Sequence, residues 1–268
     1  GKDDMSREWR LAWRREGAWK VVAGGVAGRE PVNLLASPDG TLHVIGWPEG
    51  RARGWSGKPG ANAITMRASA IPGLSEGHWP YGSAGMDDRG RLCVLSSEGE
   101  KPGAFRWSIR DPDSGEWTPG AAALDYRHCY TYVFPDSGGG LALVSTRDVR
   151  WESLGYTQPF RQFDYVRNAF GYWRTPDAAG APLHRLAFGE EKPTRRHPVV
   201  SCTAQGDAYL DTKGRMHIVY RRAGASTGGE AEEVRYAVVS PDGAALTDVK
   251  VPWSAGVYCR VFQDERGR

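Results

Sequence analysis

The chain has 268 residues, a formal net charge of +3, and 35 glycines, 17 prolines and 11 tryptophans. This length can bury a large core, and the small charge gives no indication of a nucleic-acid partner. The sequence has no run of 18 apolar residues, which excludes a membrane-spanning helix. No long stretch has helical spacing, so we expect an all-β protein of short strands and tight turns.

The most regular feature is a glycine-containing turn that leads into a short apolar strand. It occurs five times, and its glycines are 50, 49, 75 and 53 residues apart. A period near fifty with one such hairpin per unit is typical of β-propeller blades. We therefore predict one β-propeller domain over residues 1–268, built of four-stranded antiparallel blades with about five repeats visible. The turn glycines are Gly40, Gly90, Gly139, Gly214 and Gly267.

The chain begins and ends with incomplete units. Glu8–Trp13 and Ala18–Val22 are predicted as strands 3 and 4 of a blade without its first two strands. The sequence stops at Arg268, where strand 2 of the fifth unit is expected. Either the two ends complete one blade, or further blades follow. Because an open propeller exposes sheet edges, we expect a missing C-terminal segment or a second chain to close it.

Between the ends, each unit is predicted to begin with an inner strand followed by the glycine turn. In the first, Pro31–Ala36 and Leu42–Trp47 are predicted as strands 1 and 2, Glu49–Gly60 as a loop and Ala63–Ser69 as strand 3. Residues three positions after each turn glycine share one strand face, which we expect to contact the next blade. These residues are His43, Cys93, Ala142 and His217. The later units are predicted to start at Tyr81, Arg127, His197 and Val257.

The third unit is longer than the others, with 75 residues between turn glycines instead of about 50, and the excess is predicted in the segment Arg147–Tyr165 between strands 2 and 3. In a propeller this connection lies on the face opposite the glycine turns and overhangs the channel mouth. The insertion is rich in arginine and aromatic residues, which stack on sugars and pair with carboxylates. We expect Arg147, Trp151 and Tyr156 to contact substrate. The alternative is a loop that only covers apolar surface.

The inner strands are predicted to start at the same mouth. Their first residues bring together histidine, tyrosine and arginine but no convincing pair of carboxylates, which disfavours a glycosidase. Histidine or tyrosine as base or acid, with arginine to neutralise a carboxylate, suits β-elimination beside a uronic acid. Because side chains alternate along a strand, His128 and Tyr130 are predicted to point to the same side. Each histidine alone is more often structural. The candidates are Tyr81, Arg127, His128, Tyr130, His197, Tyr258 and Arg260.

The four cysteines stand at 93, 129, 202 and 259, and no two of them form a C-x-x-C pair. Zinc-ribbon and redox motifs are thereby excluded. We expect buried free thiols in different blades. A disulfide between neighbouring blades is the main alternative. No cofactor is predicted, although a structural metal ion stays open.

The fourth unit resembles the BNR-repeat propeller family, which includes sialidase-like proteins and polysaccharide lyases acting on ulvan and related uronate polymers. The resemblance is carried by His197–Val200, Tyr209–Tyr220, Val234–Ala237 and the turn Ser240–Gly243. It implies seven blades, an acidic polysaccharide as partner and a secreted or periplasmic location. It also implies His197 as catalytic residue, His217 as its support and Tyr258 as acid or base. Arg221 and Arg260 are the candidates for the neutralising arginine.

Our first functional hypothesis is therefore a carbohydrate-active propeller that cleaves a uronate polysaccharide by β-elimination. On geometry alone, His128 is as plausible a base as His197. The second hypothesis is a non-catalytic glycan-binding or scaffold propeller. A sialidase-like hydrolase is less favoured, because the sequence lacks an Arg-Ile-Pro stretch and only Asp113–Trp117 resembles an Asp-box.

Overall fold

The computed structural model describes most of the chain. The described residues are 7–28, 30–60, 63–74, 81–99, 102–136, 138–157, 165–180, 184–193, 202–227, 232–244, 246–252, 260–262 and 264. Within them, the strands form four four-stranded antiparallel sheets and one two-stranded sheet. No helix in this part of the chain is long and apolar enough to cross a membrane.

Each four-stranded sheet is an uninterrupted meander of consecutive strands. A hairpin of β1 (Arg7–Arg15) and β2 (Ala18–Gly28) precedes blade 1. Blade 1 contains β3 (Asn33–Ala36), β4 (Leu42–Gly46), β5 (Arg53–Gly57) and β6 (Arg67–Ala70). Blade 2 contains β7 (Tyr81–Met86), β8 (Leu92–Gly99), β9 (Gly103–Arg110) and β10 (Trp117–Leu124). Blade 3 contains β11 (Arg127–Pro135), β12 (Leu141–Arg150), β13 (Tyr165–Arg174) and β14 (His184–Phe188). Blade 4 contains β15 (Thr203–Leu210), β16 (Met216–Arg222), β17 (Glu233–Val239) and β18 (Leu246–Lys250).

The first strands of successive blades lie beside one another. Strand β7 contacts both β3 and β11, and β11 in turn contacts β15. A row of inner strands with meander sheets extending outward from it is the arrangement of a β-propeller. The predicted fold class is therefore confirmed.

The predicted glycine turns are present in all four blades. In each, the glycine N–H donates to the carbonyl oxygen three residues earlier, at 2.9 Å for Gly40, 3.1 Å for Gly90, and 2.9 Å for Gly139 and Gly214. All four have φ between 73° and 102°, a left-handed conformation that glycine adopts without steric cost. The repeat in the sequence is thus a repeat of turn geometry.

The core lies between the blades. Blades 2 and 3 share a buried cluster that includes Phe105, Trp107 and Trp173, and blades 3 and 4 share one that includes Tyr172 and Tyr220. Cys93 belongs to the first cluster and Ala142 to the second, so these positions contact the next blade as predicted. Burying large aromatic side chains contributes a major part of the stability of such interfaces.

The thiol prediction is confirmed for the cysteines that the structure describes. Cys93, Cys129 and Cys202 are buried free thiols. Burial raises the pKa of the Cys93 thiol, and that of Cys202 to about 12, so both are protonated at neutral pH. Cys259 lies outside the described residues.

Two predicted boundaries were wrong. The segment predicted as a loop, Glu49–Gly60, contains the third strand of blade 1, and the predicted strand Ala63–Ser69 overlaps the fourth, β6. The prediction missed β5 because this strand contains Gly54 and Gly57, and glycine is uncommon in strands. A Cβ at Gly54 would lie 3.4 Å from Ile45 Cδ1 and 3.5 Å from Ser69 Oγ, which are ordinary contact distances within the same sheet.

Candidate functional site

Blades 2 and 3 bring aromatic and arginine side chains together at the end of the molecule opposite the glycine turns, here called the mouth end. Strands β7, β11 and β13 start at this end, and β12 ends there. The resulting group of side chains is called the mouth cluster. Its members are Tyr81, Arg127, Tyr130, Asp148, Arg150, Tyr165 and Arg167.

Arg127 lies at the centre of the mouth cluster. Its Nε donates to Asp148 Oδ2 at 3.1 Å, and its Nη2 donates to the same oxygen. The guanidinium carbon lies 3.7 Å from the ring centroid of Tyr165 and 5.7 Å from that of Tyr81. Burial acts to lower the pKa of Arg127, but the charge and hydrogen bonds of Asp148 outweigh it and raise the value. Arg127 is therefore a fixed, charge-compensated cation that orders the two rings.

Tyr130 is presented to solvent by a break in β11. The pairing with β12 shifts between Cys129 and Tyr132, and Tyr130 has φ of 53°. Its side chain is 48 % exposed and lies edge-on to Tyr81, with the ring centroids 5.5 Å apart. A left-handed conformation at a bulky residue costs on the order of 1–3 kcal/mol and is typical of functional sites. Bulges of this kind redirect a side chain from its strand.

Both phenols of this pair are protonated at neutral pH. Burial raises the pKa of Tyr81 to about 12, and the pKa of Tyr130 also rises by burial although Arg167 opposes the rise. A neutral phenol can donate a hydrogen bond or a proton but is a poor base. These tyrosines are therefore suited to bind a hydroxyl or protonate a leaving oxygen.

Two further arginines surround the rings. The guanidinium carbon of Arg167 lies 5.1 Å from the Tyr130 centroid, and that of Arg150 lies 5.1 Å from the Tyr165 centroid. The mouth cluster thus contains three arginines and the carboxylate of Asp148, and the charge of Glu30 also acts on Tyr130. Aromatic planes beside arginines are suited to sugar rings that bear carboxylates.

The structure separates His128 from Tyr130. The sequence predicted that both point to the same side of β11, which was wrong because the bulge interrupts the alternation. His128 is only 4 % exposed and packs edge-on against Trp173, at 4.7 Å between centroids, and near Phe105 at 6.0 Å. A buried imidazole between aromatic rings is a core residue and cannot reach a polymer at the mouth.

His217 lies at the opposite end of its blade from the mouth. It pairs with Tyr209 near the glycine turn of blade 4, six residues along β15 from Thr203, or roughly 20 Å. Its Nδ1 is 2.5 Å from the Tyr236 hydroxyl and its Nε2 is 3.0 Å from Asp211 Oδ2. The imidazole thus stabilises the turn, and its position does not suit the supporting role that the resemblance implied.

The other predicted substrate contacts are spread over blades 3 and 4. Arg147 donates to Asn168 Oδ1 and Glu190 Oε1, both at 3.0 Å, and lies 5.9 Å from the ring of Tyr126. Trp151 begins a 3-10 turn, Trp151–Leu154, directly after β12. The Tyr156 hydroxyl donates to the Pro193 carbonyl at 2.5 Å, which holds the insertion against the segment before blade 4. Arg221 forms an ion pair with Glu232 at 2.8 Å.

Two of the predicted catalytic residues of the last units, His197 and Tyr258, lie outside the described residues. Arg260 is described: its side chain is 80 % exposed, and its Nη1 lies 3.5 Å from Asp207 Oδ1. The N–H of Val261 donates to Asp207 Oδ2 at 2.9 Å, so this segment is attached to the first strand of blade 4. Among the residues that the structure covers, no group of three or more His, Cys, Asp or Glu side chains could hold a metal ion.

Sequence reasoning found Tyr81, Arg127 and Tyr130 but missed four other members of the mouth cluster. Arg150 and Tyr165 lie within the insertion, and its aromatic and basic composition was the available signal. Nothing in the sequence pairs Asp148 with Arg127 across β11 and β12, because cross-strand partners depend on register. The remaining missed residue is Arg167.

No protein-family model matches the chain, and no curated protein matches it. Solved structures are similar at low identity. They include polysaccharide lyase Uly1 (10 % identity, TM-score 0.47, covering 92 % of this chain and 72 % of that one). A triple mutant of AofleA from Arthrobotrys oligospora has 11 % identity and a TM-score of 0.47, covering 89 % of this chain and 63 % of that one. An exo-beta-1,3-galactanase from Phanerochaete chrysosporium has 10 % identity and a TM-score of 0.46, covering 84 % of this chain and 48 % of that one.

The chain thus spans about half the length of the galactanase. These similarities are too distant to assign an activity, because one fold supports unrelated functions. Function has to be inferred from the side chains of the site.

Proposed function

We propose that this chain is a carbohydrate-active propeller whose mouth cluster binds an acidic polysaccharide containing uronic acid. The observation that carries the proposal is the Tyr130 ring, held in a strained conformation and exposed beside Arg167 and Tyr81. Strain is retained where it positions a group for function. A sugar ring stacks on the phenol face while an arginine pairs with its carboxylate.

We further propose that the bound polymer is cleaved by β-elimination. A base removes the proton from the carbon beside the carboxylate, the bond from the next carbon to the glycosidic oxygen breaks, and a carbon–carbon double bond forms. The proton on the acid passes to the leaving oxygen, and an arginine stabilises the negative charge that develops at the carboxylate. The high pKa of Tyr81 suits the acid, while Arg167 and Arg150 suit charge neutralisation.

The base in this proposal is His197, which lies outside the described residues. His128 is buried and His217 lies at the far end of blade 4, so neither suits that role. This placement favours, as a second candidate, a propeller that binds acidic glycans without cleaving them. The two candidates share the mouth cluster and differ in whether a product forms.

The binding proposal is tested by electrophoresis through gels containing ulvan, glucuronan, gellan or xanthan. We expect at least one polymer to retard the chain, and Arg167→Ala and Tyr130→Asn to reduce the retardation at least tenfold in apparent affinity. Lys213→Ala removes one positive charge from a glycine turn at the other end and serves as the matched control. Equal retardation of all four proteins would reject the mouth cluster as the binding site.

The cleavage proposal is tested by the near-ultraviolet absorbance of an unsaturated uronate product. We expect absorbance to rise with a polymer that binds, and His197→Ala to abolish the rise without weakening binding. Retardation without any rise in absorbance would select the non-catalytic candidate.

A further inference from the structure

A cleft of about 620 Å³ lies between blades 1 and 2, near their glycine turns and therefore away from the mouth end. On the blade 1 side it is lined by Ile45, Ser56 and His43, and on the blade 2 side by Arg110 and Trp117. It is called the blade 1–2 cleft.

Strand register explains which side chains enter this cleft. On blade 2, Trp117 pairs with Arg110 and Arg110 pairs with Leu92, so the three share one face. Leu92 and Trp117 pack with Ile45 of blade 1, which fixes that face toward blade 1. On blade 1, Ile45 pairs with Gly54, which carries no side chain and lines the cleft. The cleft is thus built by residues of fixed strands rather than by mobile loops.

At the interfaces of blades 2 and 3 and of blades 3 and 4, arginine side chains bridge the blades at the level where the blade 1–2 interface has its cleft. Arg91 of blade 2 donates to the Asp136 carbonyl of blade 3. Arg174 of blade 3 donates to the carbonyls of Gly214 at 2.9 Å and Pro241 at 3.1 Å, in blade 4. Each of these arginines therefore bridges two blades at the level of the turns.

Arg110 differs from those bridging arginines. Within the described part of the chain it donates no side-chain hydrogen bond and forms no ion pair, and the same holds for the ring nitrogens of His43. Burial and the positive charge of Arg110 lower the pKa of His43, so the imidazole is neutral at pH 7 and both donates and accepts. Both side chains are half-buried, so their hydrogen-bonding groups are open to a ligand that enters the cleft.

The composition of the cleft indicates the ligand class. An indole side chain, Trp117, lies beside an apolar floor, and serine hydroxyls, an imidazole and a guanidinium surround it. The cleft also has carboxylates at its rim: Asp113, and Asp39, which is engaged by Lys58 at 2.8 Å. Trp55 and Arg89 also line the cleft, so donors and acceptors lie beside aromatic side chains, and two arginines accompany the two carboxylates.

We propose that the blade 1–2 cleft binds one neutral pyranose unit of a glycan. The apolar face of the sugar stacks on Trp117, and vicinal hydroxyls bond Arg110, His43 and Ser56. This site is separate from the mouth cluster and goes beyond the proposed function: it would tether a neutral branch or chain end.

The test uses methyl glycosides of neutral hexoses, 6-deoxyhexoses and pentoses, with methyl glucuronide as the charged comparison. Binding is measured by saturation-transfer NMR and titration calorimetry on the full chain. We expect a neutral glycoside to bind, and Arg110→Ala and Trp117→Phe each to weaken it at least tenfold. Arg106→Ala, which removes a half-exposed arginine of the same strand that pairs with Glu98, should leave binding unchanged.

Three results would overturn the proposal: no neutral glycoside binds, only the glucuronide binds, or Arg110→Ala and Trp117→Phe bind as well as the wild type. Thermal unfolding of each variant guards against a loss that comes from misfolding, and Trp117→Phe keeps the apolar packing. Gel retardation by acidic polymers should be unchanged in Arg110→Ala. These measurements therefore distinguish failure of the proposed binding at the mouth cluster from failure of the proposed binding at the blade 1–2 cleft.

Discussion

The carboxylate of Asp211 holds the glycine turn of blade 4 and gives the most quantitative prediction. Its Oδ2 accepts hydrogen bonds from Arg215 Nε at 2.7 Å and from His217 Nε2 at 3.0 Å. Its Oδ1 accepts the backbone N–H groups of Lys213 at 2.9 Å and Arg215 at 2.8 Å. The side chain is fully buried, so these bonds are shielded from water.

These contacts link folding to pH. Burial alone would raise the pKa of Asp211, but the hydrogen bonds from His217 and Arg215 outweigh burial and lower it from 3.8 to about 2. A carboxyl whose pKa is lower in the folded state stabilises the protein above its unfolded pKa, and this contribution is lost as the pH falls toward the folded pKa. At 1.36 kcal/mol per pKa unit, the difference amounts to about 2 kcal/mol, lost between about pH 4 and pH 2.

Asp211→Asn keeps the shape of the side chain and removes its charge. We expect urea unfolding at pH 7 to show the variant less stable than the wild type by at least about 2 kcal/mol. The difference should shrink by about that amount between pH 4 and pH 2. Asp242→Asn, in the exposed turn between β17 and β18, is the control and should cost much less. A difference that stays constant down to pH 2 would refute the reasoning.

Three further predictions concern the blade interfaces and the mouth. Trp107→Ala removes a fully buried indole that donates to the Ala178 carbonyl at 2.6 Å. We expect urea titrations to show an unfolding free energy lower by about 3–5 kcal/mol, and a loss below about 1 kcal/mol would contradict the packing. Gly85→Ala places a methyl group against the Val133 carbonyl between β7 and β11, so the melting temperature should fall sharply, and an unchanged value would disprove this close approach. Tyr130→Asn relieves the left-handed strain, so stability should hold or rise while polymer retardation falls. A large loss of stability would show that Tyr130 is mainly a packing residue.

The fold could be predicted because its repeated unit depends on local chemistry. The turn glycines at 40, 90, 139 and 214 need positive φ, and each is followed by an apolar strand, so four blades could be located from the sequence. The third strand of blade 1 could not be predicted, since it contains Gly54 and Gly57, and glycine is uncommon in strands. The residues that crowd Gly57, such as Thr65, lie on another segment of the same blade, which the strand's own sequence does not reveal.

The candidate sites could be predicted only in part, for a related reason. Strand order placed Tyr81 and Arg127 at one end, but the bulge at Tyr130 is a tertiary feature that no residue pattern announced. The bulge exposes Tyr130 and leaves His128 in the core, whereas regular alternation predicts both side chains on the same side of the strand. Arg110 likewise resembles any other strand-end arginine in the sequence, and only the structure shows that the described residues of blade 1 give it no hydrogen-bond or ion-pair partner.

The measurement that tests the central claim most directly is the retardation of the wild type, Tyr130→Asn and Arg167→Ala in gels that contain a uronate polymer. The account predicts that the wild type is retarded by at least one acidic polymer, and that both variants lose most of this retardation while remaining folded. Absence of retardation by every acidic polymer, or equal retardation of the wild type and both variants, would contradict the assignment of the mouth cluster.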